Sequence, residues 1–456
     1  MDVVKRRIGL EQEFFLVDEA GYLSDRADEF LHGCHLMAQA QGLNPNYFVA
    51  EFVKSIVEIN TPPAYTGTEL ARKYLNNLKL ALAVARQMNL RLYPLSSYPL
   101  HIRPVMRDRP NYHIQARTVG YDKFLHAGKC TGTHLHLEVP PGVIDPRVGV
   151  SYNSTSAERE ELLNIYNLAT ACDSALISLT RACPFYEGQA IGLAAHTIRY
   201  RGSETFGWEG VYTNLQSVGG LMPYAETVED LVEQQFARYY AWLQAMEKAG
   251  IEPHLFKEAG GSLLKSAWNP IRLNNHGTVE VRSIDSNYPS VILAVIILLE
   301  NLANRVRREN LTVRPAKGMQ IFELVGDRLY MPDFAYLNGE LLYASATEGV
   351  KNPKVKVYVD SILQFAMEEA GEKANFLAQL SKDMEHYQTI EAEILQEFTP
   401  TSDRLPLDAG LRLVRQCCDK LEAQVSWLDE VNLSEENLTP LCLTREDLTF
   451  GTKLEI

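Results

Sequence analysis

Four short segments of the chain alternate polar and apolar residues with a period of two, and their polar positions carry charged or imidazole side chains. The segments are GLEQEFFLVD, SIVEINTPP, GTHLHLEV and GTVEVRSID. Because side chains at i and i+2 of a strand point to the same face, each segment predicts a strand with one apolar and one strongly polar face. Such strands require a sheet that is covered on one side only, which favours an antiparallel arrangement.

The polar positions of these segments are the candidate functional residues. In chain order they are Glu11 and Glu13, Glu58 and Asn60, His134, His136 and Glu138, and Glu280 and Arg282. Any one pair is compatible with a solvated strand face, although strand surfaces rarely repeat imidazole. If the strands are neighbours, a single concave surface is lined by two imidazoles, one arginine and the four carboxylates of Glu11, Glu13, Glu58 and Glu280. The sequence alone does not show that they are neighbours.

This set of side chains suits a divalent cation and a phosphoryl group. Mg²⁺ and Mn²⁺ prefer carboxylate oxygen and water, and Mg²⁺ sites often include oxygens of a substrate phosphate. A single histidine ligand is compatible with either ion, whereas an all-histidine or cysteine set would indicate zinc. A guanidinium beside the cation suits phosphoryl transfer, in which positioning and charge neutralisation carry most of the catalysis.

The order of strands and helices predicts an α+β fold with a mostly antiparallel sheet. The predicted strands are residues 7–18, 54–61, 91–97, 131–139 and 277–285. The predicted helices are residues 68–88, 157–181, 228–248, 289–308, 355–372, 374–397 and 407–428. These elements do not alternate in tight βαβ units, which argues against a doubly wound fold. We expect a catalytic domain at residues 1–330 and a mostly helical C-terminal extension at residues 331–456.

Composition restricts the partners and the compartment. The 456-residue chain has a net charge of −14 at pH 7, so it has no electrostatic reason to bind nucleic acid or an anionic membrane. Its seven cysteines, the last of them Cys442, form no CxxC motif, and its first residues have no signal or transit pattern. We therefore expect a cytoplasmic protein with reduced thiols. The apolar run at residues 291–299 is too short for a bilayer and predicts a buried helix.

Common nucleotide-binding and nucleophile motifs are missing from the sequence. It contains no G-x-x-x-x-G-K-[ST] loop, no G-x-G-x-x-G between a strand and a helix, and no G-x-S-x-G. Because an acidic chain repels a nucleotide, a bound one would have to be held by metal ions and arginines on the sheet.

The motifs resemble those of the type-2 glutamate–cysteine ligases and their carboxylate–amine ligase relatives, in the glutamine synthetase-like superfamily. The resemblance covers about residues 7–330 and rests on IGLEQEFFLVD, VEINTPP, GTHLHLEV, CPFYEG and WNPIRLNNHGTVEVRSID. It implies a glutamine synthetase-like catalytic fold, with an antiparallel sheet lining the active site and helices on its other side. It also implies an ATP-dependent enzyme that forms γ-glutamyl phosphate and lets an amine displace the phosphate. Cysteine is the expected acceptor, as in the first step of glutathione synthesis.

The resemblance further implies a role for each matching residue. The expected ligands of Mg²⁺ or Mn²⁺ are Glu11, Glu13, Glu58, His134 and Glu280. The expected catalytic residues are His136, facing the reacting carboxylate or phosphate, and Arg282, contacting the transferred phosphoryl group. The implied partners are ATP, glutamate and an amine, and a homo-oligomer is compatible with the sequence.

Two departures from the family pattern affect the residues expected to bind substrate or nucleotide. Relatives carry an arginine downstream of the PF-x-x-G motif, where simple spacing gives Thr197 here. Arg199 or Arg201 could replace it after a slip of two or four residues. Relatives also have W-D-I-R where this chain has WNPIR, so that Asn269 stands in place of the aspartate. Arg272 fits substrate or nucleotide binding, or a structural salt bridge.

Three alternatives remain open at this stage. One is a carboxylate–amine ligase that uses an amine other than cysteine, since acceptor pockets are built from scattered loop residues. Another is a metal-dependent hydrolase, because H-x-H also occurs in zinc-type sites on (β/α)₈ barrels. The third is a binding or scaffold protein without catalysis, against which all the expected metal ligands are present. Dependence on ATP would separate the ligase from the hydrolase.

Overall fold

The fold is described by a computed structural model that covers residues 5–368, 370–386, 389–398, 404–431, 433–434 and 436–441. Cys442 and the end of the predicted C-terminal extension lie outside the described residues. Within them, a seven-stranded antiparallel sheet carries the polar segments. Its strands are Ile8–Asp18, Phe48–Ala50, Ile56–Asn60, Leu90–Tyr93, Gly132–Glu138, Ile271–Asn274 and Thr278–Asp285.

Five of these strands are named below by a residue of the polar face. From one edge they are the Arg272 strand (Ile271–Asn274), the Glu280 strand (Thr278–Asp285), the His134 strand (Gly132–Glu138), the Glu11 strand (Ile8–Asp18) and the Glu58 strand (Ile56–Asn60). The strand Phe48–Ala50 pairs beyond the Glu58 strand, and Leu90–Tyr93 pairs with the other end of the Glu11 strand. The polar segments are therefore neighbours in one sheet.

Apolar helices cover the other face of the sheet. Ser156–Thr180 packs on the Glu280 strand and on Pro289–Arg308, and Gly67–Gln87 packs on the Glu11 strand. Ser156–Thr180 begins with a capping box in which Thr155 and Glu158 satisfy each other's backbone N–H groups. This arrangement confirms the predicted α+β class with helices behind an antiparallel sheet.

Two helices have the length and composition of membrane spans, and both are core helices here. They are Ser156–Thr180 and Pro289–Arg308, and their most apolar windows are 100% and 94% buried inside the fold. Contact with the sheet and with each other accounts for their apolar composition. The predicted buried helix at residues 291–299 is confirmed.

Several predicted boundaries were wrong, and some short elements were missed. The strand predicted at residues 91–97 is Leu90–Tyr93, and the helix predicted at residues 374–397 is two helices, Ala374–His386 and Ile390–Glu397. Residues 387 and 388 between them lie outside the described residues. The strands Phe48–Ala50 and Ile271–Asn274 are too short to give a clear period, and they form because a longer strand pairs with each of them.

The described part of the C-terminal extension packs against the sheet domain. Leu407–Glu430 lies on Gly67–Gln87 and on the strand Leu90–Tyr93. Arg91 of that strand forms ion pairs with Asp419 and Glu422 of the helix, both at 2.7 Å. The division into two domains stays a prediction.

Candidate active site

The Glu11 strand lies at the centre of the polar face. Its Glu11 is the register partner of His134 on one side and of Asn60 on the other. Two residues further on, Glu13 is the partner of Glu58. The i, i+2 spacing within each strand and the antiparallel register between strands together bring these side chains onto one surface.

The Glu280 strand continues this surface. Glu280 is the register partner of His136 on one side and of Arg272 on the other, and it is fully buried. Its carboxylate accepts two hydrogen bonds from Arg272, at 2.8 and 3.0 Å, and one from Arg282 at 2.5 Å. Asn274 also donates to it. Four donors therefore surround this carboxylate, which fixes its position at the edge of the site.

Glu51 belongs to the same surface, and the sequence analysis missed it. It follows the strand Phe48–Ala50 directly, and that strand pairs with the Glu58 strand. A carboxylate oxygen of Glu51 lies within 4.8 Å of one from Glu13 and one from Glu58. The available signal was a single glutamate inside the apolar run YFVAEFV.

Three groups of side chains on this surface have the spacing needed to hold a cation. In each group the ligand atoms lie within 4.8 Å of one another. The groups are Glu11–His136–Glu280, Glu11–Glu58–His134 and Glu13–Glu51–Glu58. Glu11 is common to the first two groups and Glu58 to the last two. Carboxylates with one imidazole are the donor set expected for Mg²⁺ or Mn²⁺ rather than zinc.

The two histidines of the H-x-H motif have nitrogens that suit a ligand role. The Nε2 atom of His134 is buried without a hydrogen-bond partner among the described residues, and Nε2 of His136 faces Oε1 of Glu11 at 3.3 Å. Buried polar atoms are nearly always paired, so such atoms indicate a missing partner. On its other nitrogen, His136 has the Thr278 hydroxyl at 2.9 Å, which fixes the orientation of the ring.

The carboxylates at the Glu51 end of the row repel one another. Burial raises the pKa of Glu13 well above its ordinary value, and the neighbouring Glu51 adds to the shift. Burial likewise raises the pKa of Glu58, with Glu11, Glu51 and Glu13 adding to it. Like charges at such short range cannot all ionise without a compensating cation. This end of the site therefore favours proton or metal binding.

The other end of the row is balanced by cationic groups. Burial opposes ionisation of Glu280, but Arg272 and Arg282 outweigh it and lower its pKa well below the usual range. Burial also opposes ionisation of Glu11, but His136 and His134 lower its pKa overall. For His134, burial and the nearby Arg282 lower the pKa to about 4, so its imidazole is neutral near pH 7 and available as a ligand.

Two cavities meet at Glu11. The Arg282 cavity, of about 270 Å³, contains the carboxylates Glu11, Glu13, Glu51 and Glu58 on one side. It is also lined by an aromatic wall, the contiguous rings of His196, Tyr200, Tyr212 and Trp268. The His136 cavity, of about 410 Å³, is lined by the backbone of the Glu11 strand, by His136 and by the flat or apolar groups Ile8, Leu10, Tyr47 and Pro63.

The segment with the family departure forms a π-helical turn, His196–Arg201, at the aromatic wall. Arg201 does not reach the cavity, since it forms a buried ion pair with Asp173 at 3.0 Å and donates to Asn338. Arg199 lies over the ring of Tyr186 at 5.0 Å, and its Nε has no hydrogen-bond partner among the described residues. Thr197 is buried.

Asn269 has a local structural role that an aspartate could not fill. Its amide nitrogen donates to the carbonyls of Ser217 and Gly220, and its oxygen accepts from Arg238. A carboxylate cannot donate, so aspartate would leave two buried carbonyls without this partner. The asparagine that replaces the family's aspartate is therefore consistent with this structural role.

The structure thus brings together most of the predicted site residues. The ones that share the polar face are Glu11, Glu13, Glu58, His134, His136, Arg272, Glu280 and Arg282. Arg199 is not among the residues that line the Arg282 cavity; burial raises the pKa of the cavity residue Cys130, and the charge of Arg199 opposes that shift. Arg201 alone is held elsewhere, because its partner Asp173 belongs to a core helix.

Known proteins with a similar sequence are ligases. A curated glutamate–cysteine ligase of Halobacterium salinarum is 25% identical over 301 residues, which are 63% of this chain and 67% of that protein. This enzyme class is the one that the strand motifs predict.

Two solved structures have a similar fold. A glutamate–cysteine ligase of Francisella tularensis in complex with AMP matches with a TM-score of 0.51 and 12% identity, over 99% of this chain and 95% of that one. A bifunctional glutathione synthetase of Pasteurella multocida matches with a TM-score of 0.51 and 15% identity over 92% of this chain. The match spans about half (52%) of the Pasteurella enzyme. The expected glutamine synthetase-like fold is confirmed.

The family model of the glutamate-cysteine ligase family 2 (GCS2) matches residues 7–317, more than half of the chain. The matched region contains every strand of the polar face. The chain belongs to this family.

Proposed function

We propose that the protein is an ATP- and Mg²⁺-dependent ligase that joins the γ-carboxylate of L-glutamate to the amine of L-cysteine. The observation that carries the proposal is the row of carboxylates and imidazoles across five adjacent strands, with Arg282 beside it. The product would be γ-glutamylcysteine, the first intermediate of glutathione synthesis. Family membership and the curated relative support the same activity.

The proposed metal ligands are Glu11, Glu13, Glu58, His134 and Glu280, with Glu51 added on the basis of its distances. His136 keeps its proposed catalytic role facing the reacting carboxylate or phosphate, and it also lies within ligand distance of Glu11 and Glu280. Bound Mg²⁺ or Mn²⁺ would neutralise the phosphates of ATP and draw charge from the group being transferred. The protein's own part is to hold the ligands in register on a rigid sheet. Arg272 contributes by orienting both oxygens of Glu280, which is a positioning role rather than a substrate contact.

The two cavities suit the two kinds of substrate. We assign the His136 cavity to the nucleotide, because Tyr47 and Pro63 line it and because it contains Glu11 and His136 of one proposed cation site. We assign the Arg282 cavity to the amino acids. The γ-phosphate would then lie between the cavities, near Glu11, where the phosphoryl group passes from ATP to the carboxylate.

Arg282 is the residue proposed to contact the transferred phosphoryl group. Its guanidinium lies beside Glu280 and 3.3 Å from Nδ1 of His134, so it is held at the metal-binding surface. Transfer would join the γ-carboxylate oxygen to phosphorus and release ADP. The acceptor's ammonium group loses one proton to solvent, and the free amine then attacks the carbonyl carbon. The C–O bond to phosphate breaks, and the second proton of the nitrogen goes to the departing phosphate. A planar cation stabilises the charge that develops on the phosphoryl oxygens.

Arg199 is the arginine that we propose for binding a substrate carboxylate. It is partly buried on Tyr186 and belongs to the same turn as the cavity residue His196, whereas Arg201 is already paired with Asp173. A guanidinium with an unpaired Nε is a suitable partner for an anionic group.

A second candidate is a carboxylate–amine ligase with a different amine. The observation that favours it is Thr197, a neutral residue in the turn that carries His196, at the position where the resemblance implies an arginine. The hydrolase alternative required zinc ligands on a (β/α)₈ barrel, and the sheet here is antiparallel. We also propose that the protein acts in the cytoplasm, since its six described cysteines are free thiols.

The test is phosphate release from ATP with Mg²⁺ and L-glutamate, alone and with each of a panel of amines that includes cysteine. Release that requires glutamate and increases with cysteine, together with γ-glutamylcysteine found by mass spectrometry, would support the leading proposal. A response to another amine would favour the second candidate. If no combination releases phosphate although Mn²⁺ binds, both ligase proposals are wrong.

A further inference from the structure

In the segment where family members carry an arginine, this chain instead places a histidine, His196, in the Arg282 cavity. His196 lines the cavity and is 5% exposed. Its ring stacks on Tyr200, with centroids 4.6 Å apart and planes at 11°, and it meets His134 edge-on at 6.2 Å. The sequence analysis did not select His196, because it stands alone in an irregular segment.

Asp285, at the end of the Glu280 strand, holds the backbone of His196. Its Oδ1 accepts from the His196 N–H at 2.9 Å. Its Oδ2 accepts from Ser96 Oγ at 2.9 Å, from Ala182 N at 3.0 Å and from Ala195 N at 3.2 Å. One side chain thus connects three separate segments to the strand that carries Glu280 and Arg282.

Burial of the Asp285 carboxylate has a free-energy cost that its hydrogen bonds must offset. Asp285 is 1% exposed, and the four partners named above are all neutral donors. Burying a carboxylate is unfavourable unless hydrogen bonds compensate for the lost water, and here every donor must be held in place. Two of the four donors are the consecutive N–H groups of Ala195 and His196. The position of His196 is therefore tied to that of the catalytic strand.

Gly132 provides a second constraint on His196, independent of Asp285. A Cβ at Gly132 would lie 2.7 Å from Cδ2 of the His196 ring and 2.8 Å from its Nε2. The glycine that opens the GTHLHLEV motif therefore leaves the space that the ring occupies. The same residue donates its N–H to Glu13 at 2.8 Å. The ring of His196 thus packs directly on the backbone of the His134 strand.

We propose that His196 binds an amino-acid substrate in the Arg282 cavity and that Asp285 is the positioning residue that holds it there. The inference rests on the proposed ligase function. His196 lies on the aromatic wall of the Arg282 cavity and is not among the residues that line the His136 cavity. It therefore acts on the amino acids and not on the nucleotide. An imidazole can donate to a carboxylate or accept from an amine, so it suits either amino acid.

The test compares Michaelis constants in His196→Asn, in Asp285→Asn and in the double variant. Each single change should raise the KM of glutamate or of the acceptor about tenfold, as expected for one lost hydrogen bond, and the KM of ATP should stay within about twofold. Because Asp285 acts through His196, the double variant should be no worse than the more affected single variant. Glu161→Gln, which changes a carboxylate that pairs with Arg6 and Arg307 and does not line the cavity, should leave each KM unchanged.

A second measurement does not depend on turnover. In ¹H–¹³C NMR spectra of histidine-labelled protein, the His196 ring signal is assigned by its loss in His196→Asn, and Asp285→Asn should shift it. Ser96→Ala, which removes one donor and keeps the carboxylate, should give a smaller shift, and it replaces Asp285→Asn if that variant does not fold.

Three results would overturn the inference. They are additive effects in the double variant, an equal rise in the KM of ATP, and a His196 signal that Asp285→Asn leaves unchanged. Wild-type protein that releases no phosphate would instead overturn the proposed function, and the NMR comparison would still test whether Asp285 positions His196.

Discussion

The two sides of the Arg282 cavity are built in different ways. The carboxylate side comes mostly from strands, on which residues such as Glu11 and His134 lie in register, and Glu51 directly follows a strand. The aromatic side comes from the turn His196–Arg201 and from loop residues such as Tyr212 and Trp268. The first side is held by backbone ladders, and the second by side chains such as Asp285.

Because of this difference, we expect the carboxylate side to tolerate little change and the aromatic side to vary. A strand ladder fixes a ligand to within the tolerance that a metal ion needs, and any shift of one residue would turn every ligand to the other face. A turn held by side chains can accept a threonine for an arginine, as at residue 197, without disturbing the sheet. We therefore expect changes on the strand side to abolish activity, and changes on the wall to alter which substrate is used.

The largest effect is expected for Glu280→Gln. The change removes a proposed metal ligand and leaves Arg272 and Arg282 without their shared carboxylate, so activity should fall about 10³-fold or more. Circular dichroism should show a folded protein. Glu161→Gln is the matched control, because Glu161 also lies between two arginines, Arg6 and Arg307, away from the cavity. Unchanged phosphate release in Glu280→Gln would remove this residue from the site.

Arg282→Lys should cost about 100-fold in kcat, because lysine cannot reproduce the planar fork beside the phosphoryl group. The KM of ATP should change much less, since the guanidinium is assigned to the transferred group. Steady-state kinetics with saturating glutamate measures both constants. If the lysine variant has the wild-type kcat, Arg282 is a structural partner of Glu280 and the strand side has no phosphoryl contact.

Glu51→Gln tests whether the missed carboxylate is part of the strand side. Burial raises the pKa of Glu51, as it does for Glu13 and Glu58, so protons compete with a metal ion for this group. Mn²⁺ affinity should therefore rise with pH, and binding should release protons. The variant should bind Mn²⁺ about tenfold more weakly and release fewer protons. Calorimetry in two buffers of different ionisation enthalpy measures both, and wild-type values would exclude Glu51.

The same pKa shifts predict how the metal-free protein responds to pH. Since the folded state holds these protons more tightly than the unfolded state, the free energy of unfolding should fall as pH rises above the ordinary carboxylate range. Added Mn²⁺ should reverse the trend, because it replaces the protons. Denaturant unfolding with and without Mn²⁺ at several pH values checks the sign, and a metal-free stability that rises over this range would contradict it.

The smallest effect on turnover is expected on the wall, for Arg199→Gln. If Arg199 binds a substrate carboxylate, the KM of glutamate or cysteine should rise about tenfold with little change in stability. Arg201→Gln should instead change KM little and lower the free energy of unfolding by about 3–5 kcal/mol. The reason is that it leaves the fully buried Asp173 unpaired. A higher KM in Arg201→Gln with an unchanged KM in Arg199→Gln would reverse our assignment.

The sequence predicted the strand side better than the wall for a physical reason. The two-residue period of a strand is a local property, so the shared face of Glu11 and Glu13, or of His134 and His136, is visible without a structure. Glu51 was missed because Phe48–Ala50 is too short to show a period. His196 and Asp285 were missed because their roles depend on partners about 90 residues apart in the chain.

By itself, the sequence determined the α+β class, the faces of the strands and the set of ligand types, since each follows from a local pattern. The family follows from the same motifs. Only the tertiary structure decided which strands are neighbours, that Arg201 belongs to Asp173 and not to the cavity, and that His196 takes the place on the wall. These facts depend on register and packing between distant segments of the chain. No local pattern shows which of several arginines will pair with a buried aspartate.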